Sequence, residues 1–232
     1  MKQAASSKQT KTRAVSTEHE RLSDIAYRKI LEGLFDRTVP AGAFVSQNAL
    51  VGMLGIPVQP LRDALRVLEA EGVLTIHPRS GIQFLKPDLE LARSTYQFRT
   101  IIERSAARSY AESGDAQEIA GMIAEHEALI AEIEGGAFGS ETIDKLDDLE
   151  ERLHGGMLAS LRNPLVENTA RRLKNYVRLI RLERLVTQPL ALRTLREHMN
   201  ILHAIEKRDP DAAEAALAAH FQAALQRILG MF

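Results

Sequence analysis

Cysteine is absent from this 232-residue chain, and aromatic residues make up only 5% of it. The absence of cysteine excludes disulfides, thiolate zinc sites and cysteine nucleophiles, so a bound metal would need His, Asp or Glu ligands. No apolar run approaches the roughly 20 residues that cross a bilayer, and the first fifteen residues are polar and basic, unlike a signal peptide. We therefore expect a cytoplasmic protein with no membrane segment.

An excess of one charge is also lacking, because the formal net charge is −1 at pH 7. This balance argues against a protein that coats nucleic acid but allows a local basic face. Residues 1–17 carry Lys2, Lys8, Lys11 and Arg13 without any carboxylate. Their Ser, Gln and Thr content predicts a disordered basic arm, which either follows DNA phosphates or is a solvated tail with no partner.

What the chain has in quantity is helix-forming residues. Hydrophobic residues make up 45% of it, Ala, Leu, Glu and Arg are abundant, and β-branched runs stay short, which favours a mostly α fold. The length predicts two domains. The pattern places a first domain at residues 18–86 and an all-helical second domain at 88–232.

Three helices are predicted in the first domain. Helical spacing of apolar residues runs through 22–34, Ser46 is placed to cap a second helix, and Gly55 is placed to end it in a left-handed conformation. A third helix begins near Pro57 and runs to Gly72.

A basic hairpin follows, in which the β-prone pieces Val73–Ile76 and Ile82–Leu85 flank a tip that carries Arg79. Three helices followed by such a hairpin indicate a winged helix-turn-helix, whose third helix enters the major groove. An open alternative is that Arg62 and Arg66 form a solvated helix face paired with Asp63 or Glu69. The candidate DNA-contacting residues are Asn48, Gln59, Arg62, Arg66, Arg79 and Gly81.

Several segments of this domain resemble the GntR family of regulators, which implies DNA binding. The family usually has Ser-Arg-Thr before the proline of the third helix, where this chain has Pro57-Val58-Gln59. A bidentate arginine contact discriminates bases by about 1–3 kcal/mol, so valine at this position predicts a different operator sequence. The resembling segments are Pro40-Ala41-Gly42, Leu54-Gly55, Pro60–Leu65, Leu68–Gly72 and Arg79-Ser80-Gly81.

The second domain shows helical periodicity with five interruptions, which predict about six helices. Three of these helices carry His154, His198 and His220. Glu150 lies four residues before His154 and so shares its helical face. Such a set suits a divalent zinc, nickel, manganese or iron ion, although each histidine alone is more often an ordinary surface or core residue. The interruptions are Ser113-Gly114, Gly135-Gly136, Asn163-Pro164, Gln188-Pro189 and Asp209-Pro210.

This domain resembles the FCD effector domain of the FadR subfamily. The resemblance implies a divalent metal held by an Asp and three His. The matching positions are His154, His198, His220 and Glu150, which is one methylene longer than the Asp of the family. Asp147 is an alternative carboxylate, whereas His126 and His203 lie outside the family positions and are expected to be structural. The resembling segments are Leu153-His154, Asn163-Pro164, Glu197-His198, Ala204-Ile205, Asp209-Pro210, Ala212-Ala213 and Ala219-His220.

The same resemblance implies two effector-binding residues. Arg99 would hold an effector carboxylate, although Arg99 and Glu103 also suit an ordinary pair on one helix face. Asn163 would cap a helix, contact the effector, or do both.

The function predicted from the sequence is that of a DNA-binding transcription regulator, most often a repressor in this family. A homodimer would bind a pseudo-palindromic operator, and a small organic acid chelated by the metal would change operator affinity. One alternative keeps DNA binding but has an effector cavity without metal. A remote alternative is an enzyme, because Glu151-x-x-His154 has di-iron spacing; a second Glu-x-x-His is absent, so we expect no enzymatic activity.

The predicted base contact of Arg62 on the third helix can be tested by mutation. Arg62→Ala should weaken binding to the specific operator more than binding to unrelated DNA, because a base contact is lost. Fluorescence anisotropy with both DNAs measures the difference. As a control, Lys→Ala changes in residues 1–17 should mainly reduce the salt dependence. Equal weakening of both DNAs by Arg62→Ala would place this arginine on phosphate.

Overall fold

A computed structural model describes residues 21–182 and 185–230 of the chain, which form nine α-helices and three short strands. Residues 1–17, the predicted basic arm, lie outside the described residues. The N-terminal elements are α1 Leu22–Phe35, β1 Phe44–Val45, α2 Gln47–Leu54, α3 Val58–Ala70, β2 Leu74–His77 and β3 Gly81–Phe84. The remaining helices are α4 Leu89–Ser113, α5 Ala116–Glu134, α6 Ser140–Ser160, α7 Pro164–Leu182, α8 Gln188–Glu206 and α9 Pro210–Ile228.

The helix-turn-helix forms as the local chemistry predicts. The Ser46 hydroxyl accepts a hydrogen bond from Ala49 N at 3.1 Å, which caps α2. Gly55 ends this helix with φ +63°, a left-handed conformation that glycine adopts without strain. Leu61 and Leu68 of α3 are fully buried, so the opposite side of that helix faces solvent.

The wing is a three-stranded antiparallel sheet rather than the predicted hairpin alone. β3 pairs with β2 on one side and with β1 on the other. β1 is only two residues long, too short for sequence periodicity to reveal. Gly81 sits where this sheet is tightest, because a side chain there would approach Phe44 Cε1 and the Val45 carbonyl oxygen to 2.9 Å.

The second domain is a bundle of the six predicted helices, and every predicted interruption lies at the end or the start of one of them or between two. Asp88, Asp115 and Asp209 each cap the following helix by accepting a backbone N–H at 2.7–3.0 Å. The bundle core includes Tyr96 of α4 and Phe221 of α9, whose rings meet edge to face. α4 and α9 therefore form the framework in which polar side chains of the bundle are held.

α7 belongs to the bundle but also packs against the first domain. Leu179 lies in the hydrophobic core of the first domain. The Tyr176 hydroxyl donates to the backbone carbonyl of Glu71 at 2.6 Å, and Asn175 Nδ2 donates to the Tyr27 hydroxyl at 3.1 Å. The two domains consequently share one helix in addition to the short connection between β3 and α4.

Candidate metal centre and nucleic-acid interface

Three imidazoles from three helices meet inside the bundle. His154 of α6, His198 of α8 and His220 of α9 each offer one ligand atom, and these atoms lie within 4.8 Å of one another. The three residues are at most 5% exposed. The structure thus brings together the three histidines that the sequence singled out. The first and the last of them, His154 and His220, are 66 residues apart in the chain.

Each ring uses its Nδ1 nitrogen for a contact within the protein. His154 Nδ1 lies 2.5 Å from Glu103 Oε2, and His220 Nδ1 lies 2.8 Å from Glu197 Oε2. His198 Nδ1 lies 3.4 Å from Nε2 of another buried histidine, His126. A carboxylate accepts a hydrogen from Nδ1, so Nε2 of His154 and of His220 keeps a free lone pair.

The three Nε2 nitrogens are buried and have no hydrogen-bond partner among the described residues. Leaving a buried polar atom unsatisfied costs about 1–3 kcal/mol, so three in one cluster call for an explanation. Neutral imidazoles are common ligands of divalent transition metals, and one ion would satisfy all three nitrogens. The residues present therefore fit a metal ion.

Charged groups around the imidazoles occur in pairs. Burial alone would raise the pKa of Glu103, but the Arg99 guanidinium and His154 outweigh this effect and lower it to about 2. Burial would likewise raise the pKa of Glu150, but Arg181 holds it well below its ordinary value. Both carboxylates are therefore ionised at neutral pH.

The structure distinguishes the two carboxylates considered as fourth ligands. Glu150 is buried and forms an ion pair with Arg181 of α7. It also lies close enough to His154 and His198 to interact with them electrostatically. Neither carboxylate belongs to the group of convergent ligand atoms, which consists of the three histidines, but Asp147 is also exposed. Glu150 is therefore the better-placed carboxylate, although its charge is already paired.

Arg99 and Glu103 do form the pair considered from the sequence, but it is not an ordinary surface pair. Arg99 Nε lies 2.6 Å from Glu103 Oε1, and both side chains are at most 7% exposed. The guanidinium lies over the Phe221 ring, 4.6 Å from its centroid, and its Nη1 finds no acceptor in the described part of the chain. This free donor, beside the carboxylate that orients His154, is suited to an anion.

Asn163 lies at the start of α7, away from Arg99 and Glu103 on α4. Its Oδ1 accepts a hydrogen bond from Leu165 N at 3.0 Å, which supports the capping role at the start of α7. Eighteen residues of helix separate it from Arg181, or about 27 Å at the usual rise per residue. The described contacts do not bring Asn163 to the histidine cluster, and an effector contact by Asn163 stays a prediction.

The candidate DNA-contacting side chains lie on the surface of the first domain. Arg62 is exposed on α3 and donates to Gln47 Oε1 at 3.2 Å, and Gln59 donates to Asp63 at 3.3 Å. Arg66 pairs with Asp63 at 3.9 Å, which is one of the contacts expected for a solvated face. Arg79 has φ +66° at the wing tip. Asn48 is also exposed, whereas Gly81 is partly buried in the sheet.

Sequence comparisons place these two domains in known families. Residues 22–84 match the family described as bacterial regulatory proteins, gntR family, and residues 94–223 match the FCD domain. The chain belongs to the GntR family of bacterial regulators and carries an FCD domain. It is therefore a DNA-binding transcription regulator and not an enzyme.

Curated relatives agree with this assignment. The chain is 26% identical to the Nta operon transcriptional regulator of Aminobacter aminovorans over 188 residues, covering 81% of this chain and 85% of the relative. It is also 26% identical to the HTH-type transcriptional repressor RspR of Escherichia coli over 202 residues, covering 84% of each chain.

Solved structures show the same fold. Escherichia coli McbR/YncC superposes with a TM-score of 0.72 at 16% identity, covering 91% of this chain and 98% of that one. A putative GntR regulator from Rhodococcus sp. RHA1 gives the same TM-score and identity, covering 90% and 98%. None of the described helices has the length and hydropathy needed to span a bilayer.

Sequence reasoning missed four side chains that complete the FCD site of this GntR regulator. Glu103 was considered only as a partner of Arg99, and His126 was expected to be structural, yet both contact a clustered histidine. Glu197 orients His220 and is itself held by Arg227, and Arg181 holds Glu150. The sequence signals were the four-residue spacing of Arg99 and Glu103 and the adjacency of Glu197 to His198, whereas no sequence signal points to Arg181.

Acid should destabilise the metal-free protein. Burial lowers the pKa of His198 well below its ordinary 6.5 and also lowers that of His220, so both rings stay neutral in the folded chain. The unfolded chain binds protons at these rings near pH 6.5, so the free energy of unfolding should fall as the pH drops below that value, by at most about 1.4 kcal/mol per pH unit for each ring. Urea denaturation with a chelator between pH 7.5 and 5.5 measures the decrease.

This pH window isolates the imidazoles, because stabilisation by low-pKa carboxylates such as Glu103 is lost only below about pH 4.5. His203→Gln is the control for loss of a histidine outside the buried cluster, since the His203 side chain is 45% exposed. An unfolding free energy that does not vary between pH 7.5 and 5.5 would contradict burial of neutral rings.

Proposed function

We propose that this regulator controls operator affinity through a small organic acid bound at a divalent metal ion in its FCD domain. His154, His198 and His220 would hold the ion, which would supply a Lewis-acidic centre for the acid. The observation that carries the proposal is the set of three buried Nε2 nitrogens that lack a partner within the described chain. Zinc, nickel, manganese and iron all suit such a site.

Charge balance favours an anionic effector. The site contains three ion pairs, Arg99 with Glu103, Arg181 with Glu150, and Arg227 with Glu197. The charges of these three pairs cancel. A divalent ion would leave a buried net charge of about +2, which is costly without a counter-charge. A carboxylate effector would supply that charge and could also bind the free Nη1 of Arg99.

α7 offers a direct route from this site to the DNA-binding domain. Arg181 contacts Glu150 on the bundle side, while Leu179 and Tyr176 contact the first domain. An effector that competes for Arg181 would therefore act on a helix that touches both domains. It would change operator affinity only if it bound the two placements of the DNA-binding domain with different affinities.

On DNA, we propose that two copies of the chain form a homodimer on a pseudo-palindromic operator, with α3 of each copy in the major groove. Gln59 and Arg62 would face base edges, while Arg79 at the wing tip would meet phosphate or the minor groove. Asn48, Arg66 and Gly81 would lie near the backbone. Repression is the proposed sign of regulation, because RspR is named a repressor.

Metal content tests the proposal directly. Elemental analysis of the purified full-length protein should find about one divalent ion per chain, and His220→Phe should lower this content severalfold because one ligand is lost. His203→Phe is the matched control, because its exposed ring does not belong to the cluster. Absence of metal, together with an unchanged response of operator affinity to carboxylates after chelation, would favour the metal-independent cavity instead.

The identity of the fourth ligand can be tested separately. Glu150→Gln should weaken zinc binding at least tenfold, because a buried anion next to His154 and His198 is lost. Asp147→Asn should change zinc binding less than twofold, because that carboxylate is exposed. Competition with a chromophoric chelator measures both affinities. If Glu150→Gln binds zinc as the wild type does, the ligand set consists of the imidazoles alone.

A further inference from the structure

We infer that His126 is a positioning residue that selects the tautomer of His198 and so presents the Nε2 lone pair of His198 to the metal. This inference deepens the proposed metal site and rests on it. His126 lies on α5, a helix that contributes no member of the convergent ligand group in the described chain, and it is completely buried.

The backbone fixes which nitrogen of His126 carries its hydrogen. Its Nδ1 lies 2.7 Å from the backbone carbonyl oxygen of Met122, one helical turn earlier. A carbonyl oxygen can only accept, so Nδ1 of His126 must carry the hydrogen. On a neutral imidazole the other nitrogen, Nε2, is then an acceptor.

The tautomer of His126 in turn determines the tautomer of His198, a member of the histidine cluster. His126 Nε2 lies 3.4 Å from Nδ1 of His198, a long hydrogen-bond distance, with the two rings inclined at 70°. Because His126 Nε2 can only accept, Nδ1 of His198 must donate. A neutral His198 then has no hydrogen on Nε2, the nitrogen that finds no partner among the described residues.

His126 is not itself one of the ligands. It approaches His198 at Nδ1, whereas the unpartnered nitrogen of His198 is Nε2. Its place corresponds to that of Glu103 at His154 and of Glu197 at His220, each of which accepts from Nδ1. All three clustered rings are thus oriented through the same nitrogen, two by a carboxylate and one by a neutral imidazole.

A neutral imidazole suits the position behind Nδ1 of His198. Glu103 and Glu197 are each neutralised by an arginine, Arg99 and Arg227 respectively. A third carboxylate behind His198 would need a third such cation in the fully buried space around His126. An imidazole provides the acceptor without adding charge. Outer residues of this kind typically change metal affinity by about 10–100-fold when they are replaced.

Nitrogen NMR of the metal-free full-length protein tests the tautomer without any variant. At pH 7.5, ¹⁵N-labelled histidine should show His198 as a neutral ring with its hydrogen on Nδ1, and His126 with its hydrogen on Nδ1 as well. Assignment of the His198 hydrogen to Nε2 would overturn the inference. This readout depends on neither metal binding nor DNA binding.

Zinc affinity of paired variants tests the consequence. His126→Phe keeps a planar ring but removes the acceptor, and should weaken zinc binding about 10–100-fold. His126→Gln restores an acceptor at a similar distance from the backbone and should bind zinc within about threefold of the wild type. His203→Phe, on an exposed ring, should bind zinc as the wild type does.

Wild-type zinc affinity in both His126 variants, or equal weakening in both, would overturn the positioning role. If His126→Phe fails to fold, the glutamine variant and the NMR measurement still decide the matter. Failure of the wild-type protein to bind zinc would refute the proposed metal site, whereas the tautomer of His198 would remain measurable. The two failures are therefore distinguishable.

Discussion

The burial of three clustered imidazoles, those of His154, His198 and His220, is the constraint on which the second domain depends. Each ring is held through Nδ1 by an acceptor on another helix, which leaves the three Nε2 atoms buried and without a partner among the described residues. Five helices must be packed in register for this to happen, because the ligands lie on α6, α8 and α9 and the acceptors on α4, α5 and α8. A bundle assembled in this way can bind an ion only as a folded unit, so metal binding and folding are thermodynamically linked.

The electrostatic arrangement explains why so many charged groups can be buried in a small volume. Each carboxylate near the imidazoles is paired with an arginine, and the pairs come from different parts of the bundle. Removing one member would leave its partner buried and uncompensated, which is much more costly than losing an exposed pair. A surface groove of about 500 Å³ lies on the outside of α8, and Glu197 lines it. The buried imidazoles do not line this groove.

The position of α7 has consequences for regulation. One end of the helix is capped at the surface by Asn163, whereas Asn175, Tyr176 and Leu179 contact the first domain and Arg181 contacts Glu150. A flexible connection would transmit little of a change at the histidine cluster to the first domain. A packed helix with partners on both sides can bias the placement of one domain relative to the other. On the DNA-binding side, Val58 is 40% exposed at the start of α3, so an apolar group stands where related regulators usually have a base-reading arginine. An apolar side chain suits a thymine methyl rather than guanine acceptors.

Sequence alone determined the helices, the wing hairpin and the three candidate ligand histidines. Ser46, Gly55 and the five interruptions in the second domain act through their immediate neighbours, so their effects are visible in local sequence. The histidines were identified from their resemblance to FCD positions. Only the tertiary structure decided which groups orient them, because Glu103 lies 51 residues from His154, and His126 lies 72 residues from His198. It also decided that Glu150 pairs with Arg181 and that β1 joins the wing. Hydrogen-bond partners of a buried ring depend on how helices pack, and no local preference of the chain encodes that packing.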